Sequence, residues 1–329
     1  FALLIGISLI GCEVTRVPAF YGTELAALLF LFACGKITAD YLVDQHKLAM
    51  AIKLVSLSVI AVLIINTAAV SLHNLTDGER AGSFFSTSGK LSWPCEFSGQ
   101  LGIALNILFP LIFWQRQPTA KRFLLYGMLA LNTGAIASRS VFWLSTAEIL
   151  YLEFFLHGDN KPGKIVAKLL LLLCMAGMLT LYFGESYSFQ RSLGQLEKNP
   201  LLFDEPRLIS LRAALRTLPN WLQGYGLGCF KVFNHYEIHN TPLSLLVETG
   251  FIGFFAGCMF LANIFMIFWR SPERGSPLWH VLLLSLIALA ITSLFRNLVT
   301  SRVSWFILAL CWSHRHLIPV AADDSQTRE

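Results

Sequence analysis

Charge is scarce in this sequence. Of its 329 residues, 14% are Asp, Glu, Lys or Arg, 55% are hydrophobic, and the mean hydropathy is +0.60. Soluble globular domains carry about a quarter charged residues, so a chain this long and this apolar belongs in lipid. The alternating ten-residue segments of an outer-membrane barrel are also missing. Its apolar runs are long and continuous, which predicts an all-α, polytopic integral membrane protein. None of the seven cysteines (Cys12, Cys34, Cys95, Cys174, Cys229, Cys258 and Cys311) stands in a C-x-x-C pair, so no metal framework is visible. Most read as small apolar fillers within helices. Cys95 and Cys229 fall in loops on one side of the membrane, and a disulfide between them stays open. No D-x-D or acidic cluster of the kind that holds Mg²⁺ is present. There is no internal repeat and no low-complexity tract, and the net charge of +5 is too modest to point to nucleic acid.

What is there is a series of apolar runs. With a span of about twenty residues, they fall at approximately Tyr21–Gly35, Leu48–Leu72, Gly99–Trp114, Phe123–Ala137, Val141–Leu156, Ile165–Gly184, Leu243–Trp269, Leu278–Leu294 and Val303–Ile318. Phe1–Ile10 reads as the remnant of one more, and the N-terminus is expected to be incomplete. That gives about ten transmembrane helices. Lys36, Lys47, Arg116, Lys121, Arg122, Lys161, Lys164, Lys168, Arg270, Arg274 and Arg315 gather in one set of loops, which the positive-inside rule makes cytoplasmic. Opposite them lie Arg16, Arg80, Lys90, Arg139, the long segment 185–241, and Arg296 near Arg302. Three regions follow: N-terminal membrane helices over 1–184, a periplasmic segment with amphipathic helices over 185–241, and C-terminal membrane helices with a short tail over 242–329. Inside the fifth of these runs, Glu153 lies near enough to the cytoplasmic face to be solvated, and a pairing of Glu148 with an inward-facing arginine stays open.

The polar interruption before Leu243 is the richest stretch. From Asp204, Leu208, Leu211, Leu215 and Leu218 recur at helical spacing, with Arg212 and Arg216 on another face, Asp204 as N-cap and Pro219 as the stop. A helix apolar on one side and basic on the other suits the lipid head-group region. Next comes Gly224-Tyr225-Gly226-Leu227-Gly228. Its glycines allow a tight chain path, and because no strand precedes them they do not form a dinucleotide fingerprint. Last is His239-Asn240-Thr241-Pro242, where Thr241 as N-cap and Pro242 as first helical residue start a membrane helix. That puts His239 and Asn240 at its positive end.

R-L-I-S-L-R-A-A-L, then G-Y-G-L-G-C-F, then H-N-T-P-L-S-L-L-V-E-T-G-F-I-G together resemble the signature of the O-antigen ligase and Wzy-type polymerase superfamily. Thr133 to Ser140 resembles that family's T-x-S-R-G turn, with Ser140 in place of glycine. The stretch around Lys90 resembles its R-x-x-G-x-F-x-x-P-N-x-L, with lysine in place of arginine. The resemblance implies a GT-C-like membrane glycosyltransferase of the bacterial inner membrane, acting at the periplasmic face. Its donor is an undecaprenyl-diphosphate-linked glycan. The lipid A-core is the acceptor for a ligase, and a second lipid-linked unit is the acceptor for a polymerase. Neither cofactor nor metal is implied, no nucleic acid takes part, and a monomer among membrane lipids is expected.

The chemistry suits these residue types. Displacing diphosphate from an anomeric carbon needs the leaving group's charge held and a proton removed from the attacking hydroxyl. A guanidinium offers phosphate a fixed fork of donors, and an imidazole with an ordinary pKa of about 6.5 serves as base. By resemblance, His239 is the general base, and Arg139 and Arg207 are the diphosphate clamp assisted by Arg212. Asn240 orients His239 or a sugar, while Glu248 and Gly226 support the site. Taken alone, Arg139 reads as a snorkelling anchor and the helix arginines as a solvated basic face. A transporter would also place arginines within helices, but it predicts a pseudo-symmetry between chain halves that this lopsided chain lacks.

Overall fold

The computed structural model describes residues 18–77, 98–135, 139–156, scattered positions between 165 and 177, 205–216, 222, 224–227, 229–230, 238, 240–299 and 301–314. Expectations for Phe1–Ile10, the Lys90 loop, most of the Ile165–Gly184 run, the N-cap Asp204, Pro219 and the C-terminal tail lie outside these residues. Among the described residues regular structure is helical, with no strand, as an all-α chain requires. The α-helices are α1 (Pro18–Tyr41), α2 (Gln45–Asp77), α3 (Ser98–Leu108), α4 (Thr119–Ala135), α5 (Arg139–Tyr151), α6 (Glu205–Arg216), α7 (Thr241–Trp269), α8 (Pro277–Ser293) and α9 (Arg302–Ser313). Two of them, α2 over Gln45–Ala68 and α7, are long and apolar enough to cross a membrane. Along α7 the side chains of Phe251, Ile252, Phe255, Met259, Phe265 and Met266 stand exposed, as a lipid-facing surface requires.

The chain divides into two units, one of Phe1–Ala51, Ser210–Leu282 and Arg296–Glu329, the other of Ile52–Ile209 and Leu283–Phe295. In the second unit the Gly99–Trp114 run is not one helix. Pro110 lacks the N–H that an α-helix interior needs, so α3 stops at Leu108 and a 3₁₀ turn, Phe109–Trp114, continues it with Phe109 to Phe113 buried. Polar side chains then tie neighbouring helices together. Asn106 donates to the Val141 carbonyl at 2.8 Å and accepts from Ser145 Oγ at 2.7 Å, joining α3 to α5. Asn132 donates to Thr67 Oγ1 at 3.0 Å, joining α4 to α2.

Two carboxylates of this unit are fully buried. Glu153 is not solvated. It is fully buried in a π-helical turn (Leu152–Leu156), gripped by Arg122 through Nε and Nη2 at 3.1 Å each, by Lys168 Nζ at 3.1 Å and by the Tyr126 hydroxyl at 3.2 Å. Excluded from water, a carboxylate must be met by cations and donors, and here the two cationic partners come from elsewhere in the chain. Glu148 is also fully buried, and among the described residues neither of its carboxyl oxygens has a hydrogen-bond partner, an arginine included.

The first unit is held at both ends of its helices. An aromatic trio links α1, α7 and α9: Phe32 lies 6.0 Å from Trp305 and 6.3 Å from Phe260, which lies 6.1 Å from Trp305. Ser313 Oγ donates to the Ala39 carbonyl at 2.8 Å, closing α9 onto α1. In the turn after α7, Ser271 Oγ meets His314 Nδ1 at 2.7 Å, with Glu273 at 3.8 Å from the other ring nitrogen. Burial raises the Glu273 carboxyl above its ordinary range.

Candidate functional site

Helix α7 begins one residue before the position expected. Asn240, not Thr241, is the N-cap: it is extended (φ −149°, ψ 115°), and its Oδ1 accepts from Leu243 N–H at 2.8 Å. Either residue type caps well. Thr241 is unavailable because its hydroxyl is used elsewhere. Its Oγ1 donates to the Arg296 carbonyl at 2.7 Å and accepts from Leu298 N–H at 2.9 Å. One turn on, Ser244 Oγ accepts from Asn297 Nδ2 at 3.0 Å. Asn297 Oδ1 accepts from Val299 N–H at 3.2 Å, and the Val299 carbonyl accepts from Trp305 Nε1 at 2.9 Å. Residues 296–299 thus form a strap hydrogen-bonded to the start of α7.

The second attachment comes from the glycine turn. Helix α7 is interrupted at Gly250, whose φ of 67° and ψ of −179° suit only glycine. A break there releases carbonyls of the preceding turn from their partners four residues on. Two of them find new donors: the Val247 carbonyl accepts from Tyr225 N–H at 3.0 Å, and the Glu248 carbonyl from Gly226 N–H at 2.8 Å. The approach is close enough that a Cβ on Gly224 (φ 74°) would lie 2.5 Å from both the Glu248 carbonyl oxygen and the Gly250 nitrogen. Two segments that are far apart in the sequence, G-Y-G and E-T-G, are therefore one hydrogen-bonded structure.

Apolar packing fixes this structure in the first unit. Ala214 of α6, Phe230, Ile238 and Val247 form a buried cluster flanked by Ala213, Tyr225 and Leu243. Leu28 of α1, Leu227 and Cys229 form another, against Val299 and Trp305. Cys229 is buried, and Cys95, its possible disulfide partner, lies outside the described residues. Helix α6 rests on its alanines. Of the leucines read from spacing, Leu211 is half-buried and Leu215 is 44% exposed, and Arg212 and Arg216 are exposed too.

Of the residues expected at the site, Asn240 caps α7, while Gly226 (φ 89°) meets the buried Glu248 two turns further along the same helix. Arg212 is exposed on α6 of the same unit, with no hydrogen bond or ion pair among the described residues. Arg139 opens α5, and Arg207 lies in the first turns of α6, both in the second unit. Their side chains, and His239 entirely, fall outside the described residues. Sequence reasoning missed Gly250 as a break and 296–299 as a strap. The one available signal was Arg296-Asn297, a polar pair set between two apolar runs.

Chemically, the helix start offers a positive dipole end but few open donors, since Pro242 has no N–H and Asn240 occupies that of Leu243. An anion there must be met mainly by side chains. Among the described residues no three His, Cys, Asp or Glu side chains gather as metal ligands would. No family model, curated protein or solved structure matches this chain.

Proposed function

We propose that this chain is an integral-membrane glycosyltransferase of the O-antigen ligase type. It transfers a glycan from undecaprenyl diphosphate to the lipid A-core, with inversion and without metal. The reading keeps about ten membrane spans in a GT-C-like arrangement, an inner-membrane location and a site facing the periplasm. The observation that carries it is the pairing of Tyr225 and Gly226 N–H groups with the Val247 and Glu248 carbonyls. The two glycine motifs of the resemblance have a shared structural reason, and they brace the helix start that His239 and Asn240 precede.

In this mechanism His239 takes the proton from the acceptor hydroxyl as that oxygen attacks the anomeric carbon. The bond to diphosphate breaks on the opposite face, and the leaving oxygens are held by Arg139 and Arg207, with Arg212 assisting. Asn240 fixes the backbone on which His239 stands by capping α7, and buried Glu248 with Gly226 maintains the broken helix behind it.

The test is reconstitution with purified lipid-linked O-antigen and lipid A-core in the presence of a chelator. Wild type should form the ligated product. His239→Ala and Arg207→Ala should each lose activity by at least about a hundredfold, the loss typical when a general base or charge-stabilising donor is removed. If only longer lipid-linked chains appear, the enzyme is a polymerase. Undiminished turnover by His239→Ala would remove the base assignment.

A further inference from the structure

The two buried acids of the second unit have opposite surroundings. Glu153 is met by Arg122, Lys168 and Tyr126. Glu148 is equally buried, yet among the described residues neither of its carboxyl oxygens has a partner. Asn66 of α2, also buried, is in the same state, with its amide oxygen and amide nitrogen both unpaired among those residues.

Glu148 and Asn66 lie in one polar layer. The Tyr126 hydroxyl bonds to Glu153, and counting away from that bond along the antiparallel helices α4 and α5 puts Asn132 level with Glu148 to within about 1.5 Å, the rise of one residue. Asn132 Nδ2 donates at 3.0 Å to Thr67 Oγ1, the neighbour of Asn66. Glu148 shares its face of α5 with Val141 and Ser145, which hold Asn106 of α3 at 2.8 and 2.7 Å. Asn66 shares the buried stripe of α2 with Ser56, whose Oγ donates at 3.1 Å to the Leu111 carbonyl in the 3₁₀ turn that continues α3. Both unpaired groups therefore stand on buried faces turned toward α3, among amides and hydroxyls. No Lys, Arg or His is found among the described members of the layer. A bare carboxylate in such surroundings is too costly to persist, so a single positive charge must neutralise it.

We propose that this layer is a binding site for a small monovalent cation, with Glu148 supplying the charge and Asn66 an amide oxygen as ligand. None of these residues belongs to the proposed glycosyl-transfer site, and the ion site does not rest on that reading. One carboxylate balances one positive charge, whereas a divalent ion would leave net charge inside the bundle. Carboxylate, amide and hydroxyl oxygens are the ligands that hard cations take. When the ion leaves, a proton takes its place on the carboxyl, so sodium and proton compete for Glu148. Ionisable groups within membrane helices are rare and mark such ion and proton sites.

Protein in phosphatidylcholine nanodiscs, weakly buffered and with a pH-indicator dye, is titrated with sodium chloride replacing choline chloride at constant ionic strength. Wild type should release about one proton for each sodium bound, and should melt at a higher temperature in sodium than in choline. Glu148→Gln, nearly isosteric and uncharged, should lose both responses. Asn66→Leu should keep the proton release but need roughly tenfold more sodium, as loss of one polar contact to a charge predicts. A wild type that releases no proton and gains no stability in sodium overturns the proposal, whether or not Glu148→Gln folds. Unchanged responses in Glu148→Gln overturn it as well, because the ion would then sit elsewhere. An unchanged sodium requirement in Asn66→Leu removes the amide from the site.

Discussion

A hydrogen atom in place of a methyl group decides whether the glycine turn can reach its helix. Gly224 and Gly275 both have left-handed backbones, φ 74° and 88°. An added Cβ at Gly275 meets nothing within 4 Å, whereas at Gly224 it lies 2.5 Å from main-chain atoms of Glu248 and Gly250. Alanine at either position should cost about 1 kcal/mol of backbone strain. Only Gly224→Ala adds overlap with main-chain atoms that cannot rotate away, roughly 1–3 kcal/mol more. Thermal unfolding of the two purified variants should therefore show a clearly larger drop for Gly224→Ala. Equal losses would mean that the turn shifts at no cost and that the close approach has no structural weight. The alternate glycines were legible as a tight turn, but its partner was not. Periodicity in the apolar run after Leu243 contains no sign that Gly250 leaves the helix. Glu153 was misread for a similar reason: its position near the end of a run is visible, but whether it faces water or Arg122 depends on tertiary packing.

Among the elements, α7 does most to position the site, and its start shows where sequence signals run out. Asn240 and Thr241 are both good caps, and proline is tolerated at either of the next positions. The choice between them is made by residues 296–299, more than fifty positions later, which take the Thr241 hydroxyl as both donor and acceptor. Thr241→Val keeps the shape and removes both bonds, leaving the Arg296 carbonyl and the Leu298 N–H without this partner at about 1–3 kcal/mol each where they are buried. The expected outcome is a lower melting temperature, which Thr241→Ser should restore. An unaltered melting temperature would contradict the role given to the strap. Helix α6 was legible as a helix, but its contact with the rest of the unit was not: Ala213 and Ala214 pack against Phe230 and Val247, and spacing gives no sign of that.

For the whole molecule, composition was sufficient for the helical class, and among the described residues the helix positions follow the apolar runs closely, two of them long and apolar enough to cross a membrane. The interruption of α7 at Gly250 leaves residues 251–269 as a segment of about 28 Å at 1.5 Å per residue, close to the hydrocarbon thickness of about 30 Å. On the proposed reading, the turns before the break, where the strap and the glycine turn attach, fall in the head-group region, where a polyprenyl diphosphate would hold its phosphates. This requires a definite orientation. Leu222, 70% exposed beside the glycine turn, must face the periplasm, whereas Arg270 after α7 and Lys121 at the start of α4, both exposed, must face the cytoplasm with the other loop cations. Single cysteines placed at these three positions in a cysteine-free background give the test. A maleimide that passes the outer membrane but not the inner one should label Leu222→Cys in intact cells, and should label Lys121→Cys and Arg270→Cys only after the inner membrane is opened. The reverse pattern would put the start of α7 on the side where lipid A-core is made rather than where the glycan is joined to it. The ligase reading could not survive that orientation, even with every contact around α7 unchanged.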